Sequence, residues 1–169
     1  WNKDPVAYAI RNKLTMFFGN FPMGSPHGAD YQAKFKAGFN TTLCGTAINE
    51  HGHLVPKRLG GHCPNARISD VHGYFHITDL SFFRGEAYQR WARALIGDER
   101  FYRRYDDQLA ITAAGAVLAS NTSWFMKKHG FAMGLFHNGK LDGRSPAGRY
   151  NMVKWWAAFG ATNFSKAYG

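Results

Sequence analysis

Apolar residues recur along this chain in short blocks whose spacing switches between helical and extended periods. Asp4-Pro5 reads as an N-cap followed by proline at the first helical position. Val6, Ala9, Ile10 and Leu14 then share one face of a helix from about Pro5 to Lys13. Leu14-Thr-Met-Phe-Phe18 reads as a short buried strand, and residues 19–30 as a loop rich in Gly, Pro, Asn and Ser. Thr42 to Ile48 is a second strand candidate. Residues 49–67 are dense in Gly, Pro and His and predict a long loop, a length that in compact domains points to function. A third strand surrounds Tyr74-Phe-His-Ile77. Glu86 to Ile96 predicts a helix with Ala87, Trp91, Ala94 and Leu95 inward, ended by Gly97-Asp98. Asp107 to Ala119 predicts a second, with Leu109, Ala113, Ala116 and Val117 inward, its alanines permitting close packing on a sheet. Residues 132–136 suggest a last strand, 137–144 are turn-rich, and Tyr150 to Phe159 predicts a terminal helix. Strands alternating with helices argue an α/β class, one mixed sheet flanked by helices, in a single domain over residues 1–169.

Bulk properties narrow the class. With 45% hydrophobic and 16% aromatic residues, the chain of 169 residues is globular rather than disordered. No apolar run reaches the ~18 residues that spanning a membrane requires. The formal charge of +10 favours anionic partners such as nucleotide diphosphates or acidic glycans. The basic residues are dispersed rather than gathered in one tail, and nucleic acid is not the expected partner. Cys44 and Cys63 are compatible with one disulfide or two thiols. Three Asn-x-Ser/Thr triplets, at Asn40, Asn121 and Asn163, point to the secretory pathway. The chain opens on Trp1 in mid-flow, as expected of a processed product or a piece of a longer protein.

Several side-chain groups carry candidate chemistry. Asp106-Asp107 open a predicted helix, where unpaired N–H groups stabilise carboxylates. They are either a cap or a place to bond a substrate hydroxyl. Arg103 and Arg104 just before them suit a diphosphate, and Tyr102 and Tyr105 suit a sugar-binding wall. His51, His53, His62, His72 and His76 cluster in sequence near the cysteines, but their spacing matches no zinc finger. His53-Leu-Val-Pro-Lys-Arg-Leu-Gly-Gly61, followed by Asn65, resembles the core of HNH nucleases, with Gly52-His53 in place of the usual Asp-His. Trp155, Trp156 and Tyr150 offer either core packing or a stacking face. There is no phosphate-binding loop, no nucleophile elbow, no dinucleotide fingerprint and no Asp-x-Asp.

The stretch Asp79-Leu-Ser-Phe-Phe-Arg-Gly-Glu-Ala-Tyr88, then Phe101-Tyr-Arg-Arg-Tyr-Asp-Asp107 and the Ala-rich helix, resembles the fungal α-1,2-mannosyltransferases of glycosyltransferase family 15. The resemblance covers residues 71–138. It implies a GT-A-like fold, of which this chain is the C-terminal, acceptor-side part. It also implies a GDP-mannose donor, Mn²⁺ and retention at the anomeric carbon, in the Golgi lumen or elsewhere in the secretory pathway. Asp107 stands at the family's Asp of Arg-Trp-Gly-Asp, Arg104 at its Arg and Tyr105 at its Trp. His137 stands at its metal-binding His, and His76 where the family carries an acidic residue. Asp106 replaces a glycine, and the family's Glu-Pro metal motif is not in the chain.

The resulting expectation is a glycosyltransferase moving a hexose, in the first place mannose, from a nucleotide sugar to a glycan or glycoprotein acceptor. Asp107 and His76 are the expected catalytic groups. Arg84, Arg104, Tyr105, Asp106 and Trp155 are expected to bind substrate, and His137 a metal. Two alternatives are an HNH-like metal-dependent nuclease built on His53–Asn65 and a non-catalytic carbohydrate-binding domain.

Overall fold

The computed structural model describes residues 3–19, 21, 26–27, 29–63, 66–71, 76–97, 107–131, 135–137 and 140–142. Side chains are described for these except at 26–27, 29–30, 66–67, 135–137 and 140–142. The terminal helix expected at 150–159 therefore lies outside the described residues.

A three-stranded sheet organises the rest. Its middle strand, β1 (Met16–Phe18), pairs antiparallel with β6 (His76–Thr78) and parallel with β7 (Ser123–Phe125). In register, Phe18 stands opposite His76 and Phe125, and Met16 opposite Thr78 and Ser123. All three β1 residues are fully buried, as a strand covered on both faces requires. Phe17 packs on one side with Ala9, Leu14, Met126 and Phe131. Met16 and Phe18 pack on the other with Leu54, Val71 and Ala116. The class is thus α/β, a small mixed sheet flanked by helices.

The first of these helices, α1 (Pro5–Arg11), is capped by Asp4, whose carboxylate accepts from the N–H groups of Val6 and Ala7. Its inward face differs from the expected one. Ala9 and Pro5 are buried, while Val6 and Ile10 are 48% and 73% exposed. Tyr8 sets this orientation by packing its ring on Phe17 and Phe131 at 5.4 and 4.9 Å.

The second cluster is helical. Helix α2 (Ala29–Phe39) was not among the expected elements; its Tyr31, Phe35 and Phe39 recur every fourth residue and are buried. They meet α4 (Glu86–Ile96), whose bounds match the sequence expectation. Trp91 of α4 is fully buried and stacks on Phe39 and Phe35 at 4.5 and 5.4 Å. Gly38 permits this approach: a Cβ there would lie 2.5 Å from the Trp91 ring. Trp91 and Leu95 face inward and Ala94 is half-buried, but Ala87 is exposed. A short helix, α3 (Leu80–Arg84), precedes α4 and is capped by Asp79. Ser81 N–H donates to that carboxylate and holds its pKa below the usual value.

Helix α5 (Asp107–Leu118) joins the two clusters. Thr112, Ala113, Ala114, Gly115 and Ala116 are all buried, so its backbone comes close to its neighbours. A Cβ on Gly115 would stand 3.1 Å from Met16 and 3.2 Å from Leu54. Two bonds lock it: Val71 N–H donates to Thr112 Oγ1 at 2.6 Å, and Trp91 Nε1 donates to the Ala110 carbonyl at 2.9 Å.

Strand β3 (Thr46–Ile48) falls within the strand expected at 42–48, and it pairs with β4 (Leu54–Pro56), which lies where a long loop was expected, to form a hairpin. Its turn is closed by Asn49, whose Oδ1 accepts from His53 N–H. At its tip Gly52 has φ of 83°, and a Cβ there would lie 2.6 Å from Lys128. The Phe125 N–H donates to the Gly52 carbonyl at 2.7 Å, tying the hairpin to β7. Cys44 and Cys63 are joined in a disulfide with a Cα separation of 5.4 Å, which closes the return loop. Short pairs β2 (Pro26–His27) with β5 (Ala66–Arg67), and β8 (Leu135–His137) with β9 (Lys140–Asp142), complete the described strands.

Two buried helical glycines, Gly38 and Gly115, make opposite predictions. A methyl at Gly38 meets the Trp91 ring and backbone, so Gly38→Ala should cost about 1–3 kcal/mol. A methyl at Gly115 meets mostly side-chain ends at looser distances, and alanine is the better helix former. Gly115→Ala should therefore stay within about 1 kcal/mol of the parent. Urea unfolding of the two variants checks the ordering.

Candidate active site

The alternation of β6 decides what its side chains face. Ile77 packs with Phe17, so His76 and Thr78 share the opposite side, that of Met16 and Phe18. That is the side covered by α5. The first residue of α5 is Asp107, exposed, at the end where helix N–H groups have no partner in their own helix. Its charge bears on two groups from other elements: His76 of β6 and Tyr88 of α4. Three elements distant in sequence thus bring a carboxylate, an imidazole and a phenol into one neighbourhood.

Their protonation states follow from burial. His76 is half-buried, and loss of solvent lowers its pKa, an effect that Asp107 opposes but does not cancel. The imidazole is therefore neutral at pH 7. One ring nitrogen, Nδ1, is 2.7 Å from Thr78 Oγ1, which orients the ring. Tyr88 is pushed up, first by burial and then by Asp107, so it remains a neutral phenol. Beside it Phe83 presents its ring edge-on at 4.9 Å and Phe82 lies at 5.4 Å. Arg84 is exposed at the end of α3, four residues before Tyr88 and separated from α4 by the extended Gly85.

The expected site residues divide as follows. Asp107 and His76 come together. Arg84 lies on the short helix whose aromatic residues pack on Tyr88. Arg104, Tyr105, Asp106 and Trp155 lie outside the described residues. His137 is placed in β8, opposite Lys140, but its side chain is not among those described. Tyr88, Thr78 and Phe83 are added by the fold. Tyr88 had a sequence signal, since it closes the Arg-Gly-Glu-Ala-Tyr segment; Thr78 and Phe83 had none that distinguishes them from ordinary packing residues.

A second histidine group lies at the hairpin tip. His53 stacks on Trp124 at 5.2 Å with an interplanar angle of 6°, and Trp124 stacks on His129 at 4.5 Å and 12°. His53 is held below its usual pKa by burial and by His51, and His129 by burial and by His53. The expected nuclease centre needed His53 and Asn65 to converge on a metal with another histidine. Asn65 is outside the described residues, and the His53 ring lies flat against Trp124. The cysteines are bonded to each other and so offer no thiolate for zinc. Among the described residues no three His, Cys, Asp or Glu side chains converge as a metal site.

Comparison with known protein families, with curated proteins and with solved structures returns no match to this chain.

The lowered pKa values predict acid lability. His53, His76 and His129 accept protons less readily in the fold than in the unfolded chain. Unfolding therefore takes up protons, and stability falls as pH drops through about 6.5, the unfolded histidine value. The urea midpoint should decline between pH 7 and pH 5. In His129→Phe, which keeps the stack but cannot titrate, that decline should be shallower.

Proposed function

We propose that this chain is the acceptor-side part of a glycosyltransferase that moves a hexose, in the first place mannose, from a nucleotide sugar to a glycan or glycoprotein acceptor in the secretory pathway. The observation that carries the reading is the grouping at the α5 N-terminus: Asp107 bears on both His76 and Tyr88 beside the Phe82–Phe83 ring pair. Carboxylate, neutral imidazole and phenol are the groups that bond sugar hydroxyls, and aromatic rings suit the apolar faces of a pyranose.

Transfer requires that an acceptor hydroxyl oxygen bond to the anomeric carbon while that carbon's bond to the diphosphate breaks. The hydroxyl proton must go to a base. Asp107 is the described group best suited to orient the hydroxyl or take its proton. His76, neutral and fixed by Thr78, holds a second hydroxyl by hydrogen bonding rather than by charge. Tyr88, also neutral, donates or accepts at the wall. The net charge of +10 favours approach of an anionic donor such as GDP-mannose.

The family resemblance also implies Mn²⁺, which would offset charge on the leaving diphosphate. Asp107 and His76 are suitable donors, but the described residues do not complete a Mn²⁺ site, and no step is assigned to the ion here.

The test is mannose transfer from GDP-mannose by the complete enzyme carrying Asp107→Asn. Loss of about 10²- to 10⁴-fold in turnover is expected, the range of a positioned acid–base group. Its circular dichroism spectrum should be unchanged, because Asp107 is exposed. Unchanged turnover rejects the assignment. Intact glycan binding by a parent that transfers no sugar would favour the non-catalytic carbohydrate-binding reading instead.

A further inference from the structure

Two of the three Asn-x-Ser/Thr triplets fall on described surface, and one of them explains a buried group that packing does not. Asn40 is exposed where α2 ends, with left-handed φ of 58°. Two residues on, the half-exposed Thr42 donates its hydroxyl to the Gly61 carbonyl at 3.0 Å. Asn121 is exposed in the turn Ser120–Thr122 between α5 and β7. Its main-chain carbonyl accepts from Trp124 Nε1 at 2.8 Å, which fixes the turn without using the carboxamide.

The residue two after Asn121 is Ser123, fully buried in β7. Its Oγ finds no hydrogen-bond partner among the described residues. A buried hydroxyl without a partner forfeits its bonds to water and gains none in return. Alanine would fit the same site without that penalty, so folding alone gives no reason for serine. The disulfide between Cys44 and Cys63 is an independent mark of an oxidising compartment, the setting in which N-linked transfer takes place.

We propose that Asn40 and Asn121 carry N-linked glycans, that transfer to Asn121 precedes folding, and that the Ser123 hydroxyl is retained for that step. The donor is an oligosaccharide linked to a polyprenyl diphosphate. The carboxamide nitrogen forms a bond to C1 of the first sugar as the C1–O bond to the diphosphate breaks. The amide proton passes to a base on the transferase, and the lipid diphosphate leaves. The hydroxyl two residues on is what the transferase grips. At Asn121 that hydroxyl becomes inaccessible once β7 pairs with β1. At Asn40 it stays near the surface. The proposal does not depend on the sugar-transfer activity of the chain itself.

The experiment is expression of the full chain into the endoplasmic reticulum of a eukaryotic cell, in an Asn163→Gln background, with intact mass measured before and after peptide N-glycosidase. Two glycans are expected. Asn40→Gln and Asn121→Gln should each remove one. Because Asn40 has a left-handed backbone that glutamine tolerates less well, Thr42→Ala serves as its second variant. Ser123→Ala should remove the Asn121 glycan without lowering the melting temperature of unglycosylated protein. Folded, disulfide-bonded chain offered to purified transferase and lipid-linked donor should stay unmodified at Asn121. Absence of a glycan at either position in the cell overturns the proposal. So does a Ser123→Ala protein that melts lower than the parent, or transfer to Asn121 after folding.

Discussion

The close approach of helix α5 to the sheet is the constraint on which the structure rests. Its run of Thr112, Ala113, Ala114, Gly115 and Ala116 leaves little side-chain bulk, so Met16, Leu54 and Val71 pack almost against its backbone. The same helix receives the Trp91 indole on its Ala110 carbonyl, which brings in α4 and, through Trp91, α2. Dispersion is steep in distance, and larger residues here would separate two clusters at once. The position of Asp107 is a consequence. A helix pressed this tightly onto β1 carries its first residue to the β6 end of the sheet, where His76 lies.

Electrostatics in the candidate site run counter to the chain as a whole. The protein is strongly basic. Yet the groups that meet near Asp107 are a carboxylate, an uncharged imidazole and an uncharged phenol. Burial favours the neutral forms of His76 and Tyr88, so neither of these two groups places a positive charge against the Asp107 carboxylate. A basic chain attracts anions at long range, whereas neutral polar groups such as these act only through short-range hydrogen bonds. The folding of β6, α4 and α5 is what brings these three groups together.

Much of this was legible in the sequence, for reasons that differ by element. Helices α4 and α5 are readable because each has punctuation at its ends and an unambiguous inward residue: Trp91 in one, a run of alanines in the other. Helix α2 was not expected, because Gly38 weakens its helical signal and its Tyr31–Phe35–Phe39 stripe gains meaning only against Trp91. The face of α1 was misjudged because aliphatic residues were given more weight than Tyr8, whereas the ring buries more surface against Phe17. Strand β3 falls within an expected strand, but its hairpin partner β4 hid in a Gly- and His-rich stretch because the turn between them is closed by an asparagine side chain. Asp107 is legible as a carboxylate opening a helix, and the family resemblance pairs it with His76 in one expected site; the alternation of β6 puts His76 on the side that α5 covers. Tyr88 joins them through tertiary packing, which no local pattern encodes.

The link between Cys44 and Cys63 has a practical corollary. It anchors the segment carrying Lys57, Arg58 and Leu59 against Leu43, with the Arg58 guanidinium donating to Cys44 Sγ and to the His62 carbonyl. A loop of that size owes about 3 kcal/mol to its covalent closure. Polypeptide made in a reducing cytoplasm would forgo that tether, and the flap would be held by one bridge between leucines and a few polar contacts. Such material would be a softer molecule than its oxidised counterpart, and the redox history of a preparation belongs among its defining properties.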